Sequence, residues 1–338
     1  MGQRSSGGFS FEELNREIRN YLQQVADELS ATRALKSIQS AEAQVQRITR
    51  TITRASLARA AEAGFEIHDG KVSEPSPSGK AEEAAEPGPL ISAEEDEIQQ
   101  ARDIQTKLLP AEVPQLPGID IGTFSRFCHE VGGDYYDFIQ LPGGRCGMVI
   151  ADVSGKGIPA AMVMVMFRSV LRMVAANDHP PADTLAHVNR LLARDLLRRM
   201  FVTALYAVVE PARRQITFVN AGHNPPVIWR PRLSGTRAIN IKGPALGLLG
   251  AEAFESALRE KTLALEHDDC LCLYTDGVTE AKNLLGEEFG PRALARVFRA
   301  KASGPAQETV QAIVDAVDAH QEGAPQHDDM TLICVRAE

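Results

Sequence analysis

The sequence is poor in several things, and each shortage narrows what the chain can be. Basic residues do not dominate: 36 Lys and Arg face 45 Asp and Glu, a formal charge of -9. A nucleic-acid binder would show a basic stripe instead. Cysteine is scarce and odd in number, with Cys128, Cys146, Cys270, Cys272 and Cys334 at no framework spacing. That excludes a disulfide scaffold and predicts reduced thiols in a cytoplasmic setting. Cys270 and Cys272 read as small apolar residues on one strand face, because a zinc site would want partners nearby. The longest apolar run, Ile158 to Phe167, is short of a membrane span, and the polar, amphipathic N-terminus is unlike a signal peptide. Lys156 lacks the Gly-x-x-x-x-Gly-Lys-Ser/Thr spacing of a P-loop.

What remains is an ordinary globular composition, 44% hydrophobic and 24% charged over 338 residues, long enough for two units. Residues 1–70 carry two amphipathic helical stripes, the first through Phe11, Leu14, Ile18, Leu22, Val25 and Leu29. Such faces must pack on each other or on a partner, so this region is expected to be regulatory or dimerising. Residues 71–91, rich in Pro, Ser, Gly, Ala and Glu, read as a flexible linker. A linker helix over 92–110 follows, with Ile98, Ala101, Ile104 and Leu108 as its stripe and Pro110 as its stop. Its bland reading is a helix lying on the next domain; its sharper one is a dimer seam, which makes a homodimer the expected assembly.

From Ile119 the period changes. Strand-like runs fall at 119–127, 134–141, 145–153, 201–210, 215–221, 226–230, 270–275 and 330–336, and helical patterns at 158–176, 182–197, 291–301 and 306–320. Strands, then paired helices, then strands again predict an α+β domain over 111–338. Acidic residues mark the strand ends: Asp134 and Asp137 in Gly132-Gly133-Asp134-Tyr135-Tyr136-Asp137, Asp152 before Val153-Ser154-Gly155-Lys156-Gly157, Asp276 in Thr275-Asp276-Gly277, and the pair Asp328-Asp329. Two unit charges roughly 4 Å apart repel by about 4 kcal/mol at an effective dielectric near 20. Carboxylates that converge this way need a cation; otherwise they must lie apart. His223, among the turn formers of Asn220-Ala221-Gly222-His223-Asn224, reads as a turn hydrogen-bond donor rather than a ligand.

Taken in order, these segments, with Gln105-x-x-Leu108-Leu109-Pro110 and Asp328-Asp329-Met330-Thr331, resemble the bacterial SpoIIE-type branch of PPM (protein phosphatase 2C-like) serine/threonine phosphatases. The resemblance spans residues 95 to 338. It implies an antiparallel β-sandwich flanked by helices, holding two Mn²⁺ or Mg²⁺ ions, and a metal-bridging hydroxide that attacks the phosphoryl group. In that frame Asp152 and Asp134 are the catalytic candidates. Asp134, Asp152, the Val153 carbonyl, Asp276 and Asp328 are the metal ligands, and Asp137, Asp329 and Lys156 are secondary candidates. Oxygen donors of this kind select hard divalent ions. Where the eukaryotic branch has a histidine two residues after the bridging aspartate, this chain has Ser154, so the general acid is unassigned. Lys156 or Arg126 is the candidate for gripping phosphate. The resemblance implies a phosphoprotein substrate, an anti-sigma-factor antagonist, with a regulatory partner at the N-terminal helices. The alternatives are a phosphatase-fold scaffold and a small-molecule phosphomonoesterase.

Overall fold

The computed structural model describes residues 66–68, 71–73, 91–196, 200–233 and 235–338. The two amphipathic helices expected within residues 1–70 lie outside the described residues. The chain divides into two compact units, Met1–Glu97 and Ile98–Glu338. In the first, strand β1 (Glu66–His68) pairs with β2 (Lys71–Ser73), Ile67 opposite Val72. Its second strand takes in residues that composition assigns to the linker, and its first corrects the expectation that residues 1–70 are helical throughout. Asp69-Gly70 between its strands is a strong hairpin signal in its own right. Helix α1 (Ile91–Leu108) follows, close to the bounds expected for the linker helix.

The second unit contains two five-stranded antiparallel sheets. Its elements in chain order are β3 (Ile119–Arg126), β4 (Tyr135–Leu141), β5 (Arg145–Val153), α2 (Ile158–Ala175), α3 (Pro181–Leu192), β6 (Val202–Glu210), β7 (Gln215–Ala221), β8 (Val227–Arg230), β9 (Gly235–Ala238), α4 (Ala251–Ala257), β10 (Glu260–Ala264), β11 (Cys270–Tyr274), α5 (Asp276–Thr279), α6 (Gly290–Lys301), α7 (Ala306–Gln321) and β12 (Met330–Ala337). One sheet runs β10-β7-β6-β5-β4 and the other β3-β12-β11-β8-β9. All eight expected strands and the four long helices are present; β9, β10, α4 and α5 were not anticipated.

Period-two alternation explains why the sheets stack. Met148 and Ile150 of β5 and Leu205 and Ala207 of β6 share one apolar cluster with Leu271 and Leu273 of β11 and Ile333 and Val335 of β12. Each such large side chain taken from water adds roughly 1.5–3 kcal/mol. The alternate residues of β11, Cys270, Cys272 and Tyr274, face away and pack with Leu294, Phe298, Ile313 and Val317 of α6 and α7. The cysteines are buried and free, as packing residues. On the other sheet α2 packs against β4 and β5. Among the described residues α2 is the one helix long and apolar enough to cross a bilayer. Here it serves as a core helix, with Met164, Phe167 and Leu171 fully buried.

Register fixes which strand ends meet. Tyr135 pairs with Ala151 and Val153 with Val202. Tyr274 pairs with Leu332, and Arg126 with Met330. The start of β4, the end of β5, the end of β11 and the start of β12 are therefore at one end of their sheets, and every acidic motif but Asp137 falls there.

Candidate metal centre

Asp134 sits just before β4 and is buried. Its Oδ2 accepts hydrogen bonds from the Thr275 hydroxyl at 2.8 Å and the Thr331 hydroxyl at 2.7 Å. Thr275, directly after β11, and Thr331 of β12 thus grip a carboxylate delivered by the other sheet. Burial, then the charges of Asp152 and Asp329, push Asp134 well above the usual carboxylate range, against the pull of the two threonines. Asp152, next to the end of β5, is pushed up to about 7 by burial and by Asp276, Asp328 and Asp329, with Lys156 opposing. Asp276 is raised by burial, then by Glu280 and Asp328. These mutual influences bring four sequence-remote motifs into one electrostatic neighbourhood.

The Asp152 loop owes its shape to glycine. Gly155 has φ of 101° and Gly157 φ of 69°, in the region that side chains resist. The turn exposes Lys156, whose Nζ lies 2.9 Å from Asp328 Oδ2 and also donates to the His327 carbonyl. Burial pulls the Lys156 ammonium down, but Asp328 outweighs it and the net shift is upward. At Gly277 a Cβ would stand 2.0 Å from the Asp329 carbonyl oxygen, so only glycine lets α5 lie against the Asp328-Asp329 loop.

Asp329 does different work. Its Oδ1 accepts the Cys128 amide at 2.7 Å and its Oδ2 the Gly133 amide at 2.8 Å. That carboxylate organises the Gly132-Gly133-Asp134 backbone. Asp137 is drawn away from the centre. Its carboxylate takes the Tyr135 hydroxyl, the Arg172 guanidinium of α2 and the Phe138 amide. Arg126 is also committed elsewhere, donating to Gln326 at 2.8 Å and to Asp318 at 2.7 Å, so it is not free to grip phosphate. Ser154, at the place of the eukaryotic histidine, accepts the Phe201 amide on its Oγ at 2.8 Å and ties the loop to the chain entering β6. His223 behaves as a turn residue: its amide donates to Asn220 Oδ1 at 2.7 Å, and its Nδ1 lies 2.9 Å from the Thr203 hydroxyl.

Sequence reasoning missed Thr275 and Thr331. A hydroxyl residue adjoining each acidic motif was the available signal. It also left Gln105 without a role. The buried Gln105 side chain of α1 donates to the Gly132 carbonyl at 2.6 Å and accepts the Gly132 amide at 3.0 Å. Arg168 of α2 closes the same helix by donating to the Leu108 carbonyl at 2.8 Å.

Among the described residues no three Asp, Glu, His or Cys side chains form a ready-made metal shell. The donor set still fits hard cations that keep part of their water. It is all oxygen, and it holds protons at Asp134, Asp152 and Asp276 against their ordinary acidity, as carboxylates lacking a counter-charge do.

A two-sheet antiparallel sandwich with outer helices and aspartates gathered at one end defines the PPM class of serine/threonine phosphatases. Within that class the chain belongs to the family of Stage II sporulation protein E (SpoIIE), whose profile matches residues 142–338. It is 32% identical over 240 residues to phosphoserine phosphatase RsbU of Bacillus subtilis, covering 71% of this chain and 70% of that one. To phosphoserine phosphatase RsbP of the same organism it is 28% identical over 54% of this chain, and it spans only 45% of RsbP. The PP2C domain of SiaA from Pseudomonas aeruginosa shares the fold, with a TM-score of 0.64 at 22% identity over 74% of this chain and 99% of that domain.

Proposed function

We propose that this chain is a metal-dependent phosphatase that removes phosphate from serine or threonine of a protein, an anti-sigma-factor antagonist in a partner-switching pathway, in the cytoplasm. The observation that carries the reading is the strand register, which brings Asp134, Asp152, Asp276 and the Asp328-Asp329 loop to one end of the sheets, with Thr275 and Thr331 bonded across to Asp134. Membership of a family that includes RsbU supports it. Asp152, the Val153 carbonyl, Asp134, Asp276 and Asp328 would hold two Mn²⁺ or Mg²⁺ ions. Such ions would lower the pKa of bound water toward neutrality and neutralise phosphoryl oxygens. The chain's own residues set the stage. Thr275 and Thr331 fix the Asp134 carboxylate, Asp329 holds the backbone that presents it, and Gly277 lets the Asp276 and Asp328 segments approach. Lys156, paired here with Asp328 and the His327 carbonyl, is the cation at the site that would meet the phosphate. Ser154 accepts the Phe201 amide, and in this reading a water would protonate the leaving oxygen.

Regulation belongs to the same reading. Residues 1–70 receive a partner or dimerise, and α1 transmits that state through Gln105, which grips the peptide two residues before Asp134. A two-state element of this kind needs different contacts in its two states, and the Gln105–Gly132 pair is one that a shift of α1 would break. The test is turnover of a phosphoserine protein and of p-nitrophenyl phosphate, with and without Mn²⁺, by the full chain and by Asp152→Asn. Metal-dependent turnover lost in the variant is expected; full turnover in excess chelator would end the reading.

A further inference from the structure

Five large hydrophobic side chains are strongly exposed among the described residues: Ile158 at 56%, Leu248 at 55%, Leu249 at 40%, Leu284 at 68% and Leu285 at 83%. Each lies on or at the end of a connection that leaves an element at the site end of the sheets. Ile158 opens α2 directly after the Asp152 loop. Leu248 and Leu249 follow Leu246, which is bridged to Val202, and Val202 is the partner of Val153 at the site end of β5. Leu284 and Leu285 tip the connection that leaves α5, the helix begun by Asp276. That connection is a defined turn, in which the Asn283 side chain accepts the Leu285 and Glu287 amides at 3.0 and 2.9 Å. At the opposite end of the sheets the connections 142–144, 211–214 and 265–269 present no exposed large hydrophobic residue.

An apolar side chain held in water is a cost that only a covering apolar surface removes. Among the residues whose exposure is described, that cost falls on three separate connections around the carboxylates. From this asymmetry we infer that the rim is a docking surface for the segments flanking the phosphorylated residue of a protein substrate, and that those flanks are apolar and not acidic. The inference rests on the phosphatase reading above and deepens it. A small phosphomonoester brings a phosphate and little else, and cannot cover side chains on three connections. An acidic flank would meet Glu280 and Glu287 on the α5 connection, whose third glutamate, Glu288, is paired with Lys282. Continuity with the site selects this occupant, because the segment that ends in Ile158 also bears Asp152, and the one that runs to Leu284 and Leu285 begins at Asp276.

The test uses three probes on the full chain with Mn²⁺. One is p-nitrophenyl phosphate. The others are two phosphoserine peptides of equal charge and about 15 residues, an extended reach of roughly 50 Å. One peptide carries leucines on both sides of the phosphoserine and the other serines. The chain should hydrolyse the leucine peptide with kcat/KM about tenfold higher, the scale of discrimination that apolar pockets achieve. The doubly exposed variant Leu284→Ser with Leu285→Ser, and separately Ile158→Ser, should lose most of that preference while keeping the p-nitrophenyl phosphate rate. Equal rates for the two peptides in the unaltered chain, or a preference that survives in both variants, would overturn the inference. If the unaltered chain shows no peptide preference and the variants turn a dimer into a monomer on sedimentation, the rim covers a second copy and the inference falls. No metal-dependent turnover of any probe would sink the phosphatase reading itself, a separate and recognisable failure.

Discussion

Replacing Asp152 by asparagine should stabilise the metal-free protein while destroying its activity, and the size of the gain follows from the site. Burial and three neighbouring aspartates push Asp152 up to about 7 from an ordinary value of 3.8. The folded state therefore holds a proton there that the unfolded chain has released. The sign follows from linkage: stability associated with this group is fully present below about pH 3.8 and is lost as pH rises to about 7. At 1.36 kcal/mol per unit, the full excursion is at most about 4 kcal/mol. Asparagine keeps the shape of the protonated acid and never ionises. In chelator at pH 8 the variant should thus be more stable by up to about 4 kcal/mol, a rise of roughly 2–4 °C in Tm for each kcal/mol in a unit of this size. The two proteins should converge near pH 4. Thermal melts by circular dichroism, from pH 4 to 8.5 in excess chelator, read this directly. Added Mn²⁺ should then raise the wild-type Tm by mass action and move the variant less. Parallel curves for the two proteins, or a wild type that is the more stable at pH 8 without metal, would refute the convergence of these carboxylates.

Three further outcomes are expected. Gln105→Leu leaves the buried Gly132 amide and carbonyl unpaired, at about 1–3 kcal/mol per group; kcat should fall with the metal ligands untouched, and a kcat equal to wild type would show that α1 is only a tether. Gly277→Ala forces a Cβ to 2.0 Å from the Asp329 carbonyl, so the Asp328-Asp329 loop must shift; a cost of about 1–3 kcal/mol and a weakened Mn²⁺ midpoint by titration calorimetry are expected, and an unchanged midpoint would count against Asp328 as a ligand. Burial lowers His223 to about 4 from 6.5, so the stability linked to it is present above about pH 6.5 and lost as pH falls to about 4, at most about 3 kcal/mol; a His223→Gln variant should show a flatter acid limb in its Tm profile, and an equally steep limb would contradict the buried neutral ring.

How much of this was legible in the sequence depended on whether a signal was local. The eight anticipated strands carry period-two or continuous apolar patterns of their own. β10 does not: Glu260, Lys261 and Thr262 are exposed, and its backbone is ordered by pairing with β7. β9 is a four-residue strand whose Arg237 and Ala238 are exposed, held by β8. α4 buries a single side chain, Phe254, too few for a periodic stripe. In the site, the aspartates were visible because each lies at a strand end, Asp134 and Asp276 beside a glycine. Their division of labour was not. Asp137 is diverted by Arg172, 35 residues on and on a helix, and Asp329 is claimed by the Cys128 and Gly133 amides about 200 residues back. Such pairings belong to the tertiary fold, and nothing in the immediate neighbourhood of either residue announces them.

The register of β12 has a consequence for how the protein is made. β3 has β12 as its partner in its sheet, Ile119 opposite Ala337 and Arg126 opposite Met330. The first strand of the sandwich is therefore left waiting on a ribosome until the last one appears, some 200 residues later. At about 5–20 residues per second that is roughly 10–40 s with an unpaired edge. Over that interval the nascent chain is a client for chaperones and open to pairing with its neighbours on a polysome. The same closure protects the cell: a product broken off before residue 330 has neither a finished sheet nor a settled Asp328-Asp329 loop, so an incomplete chain is also an inactive one.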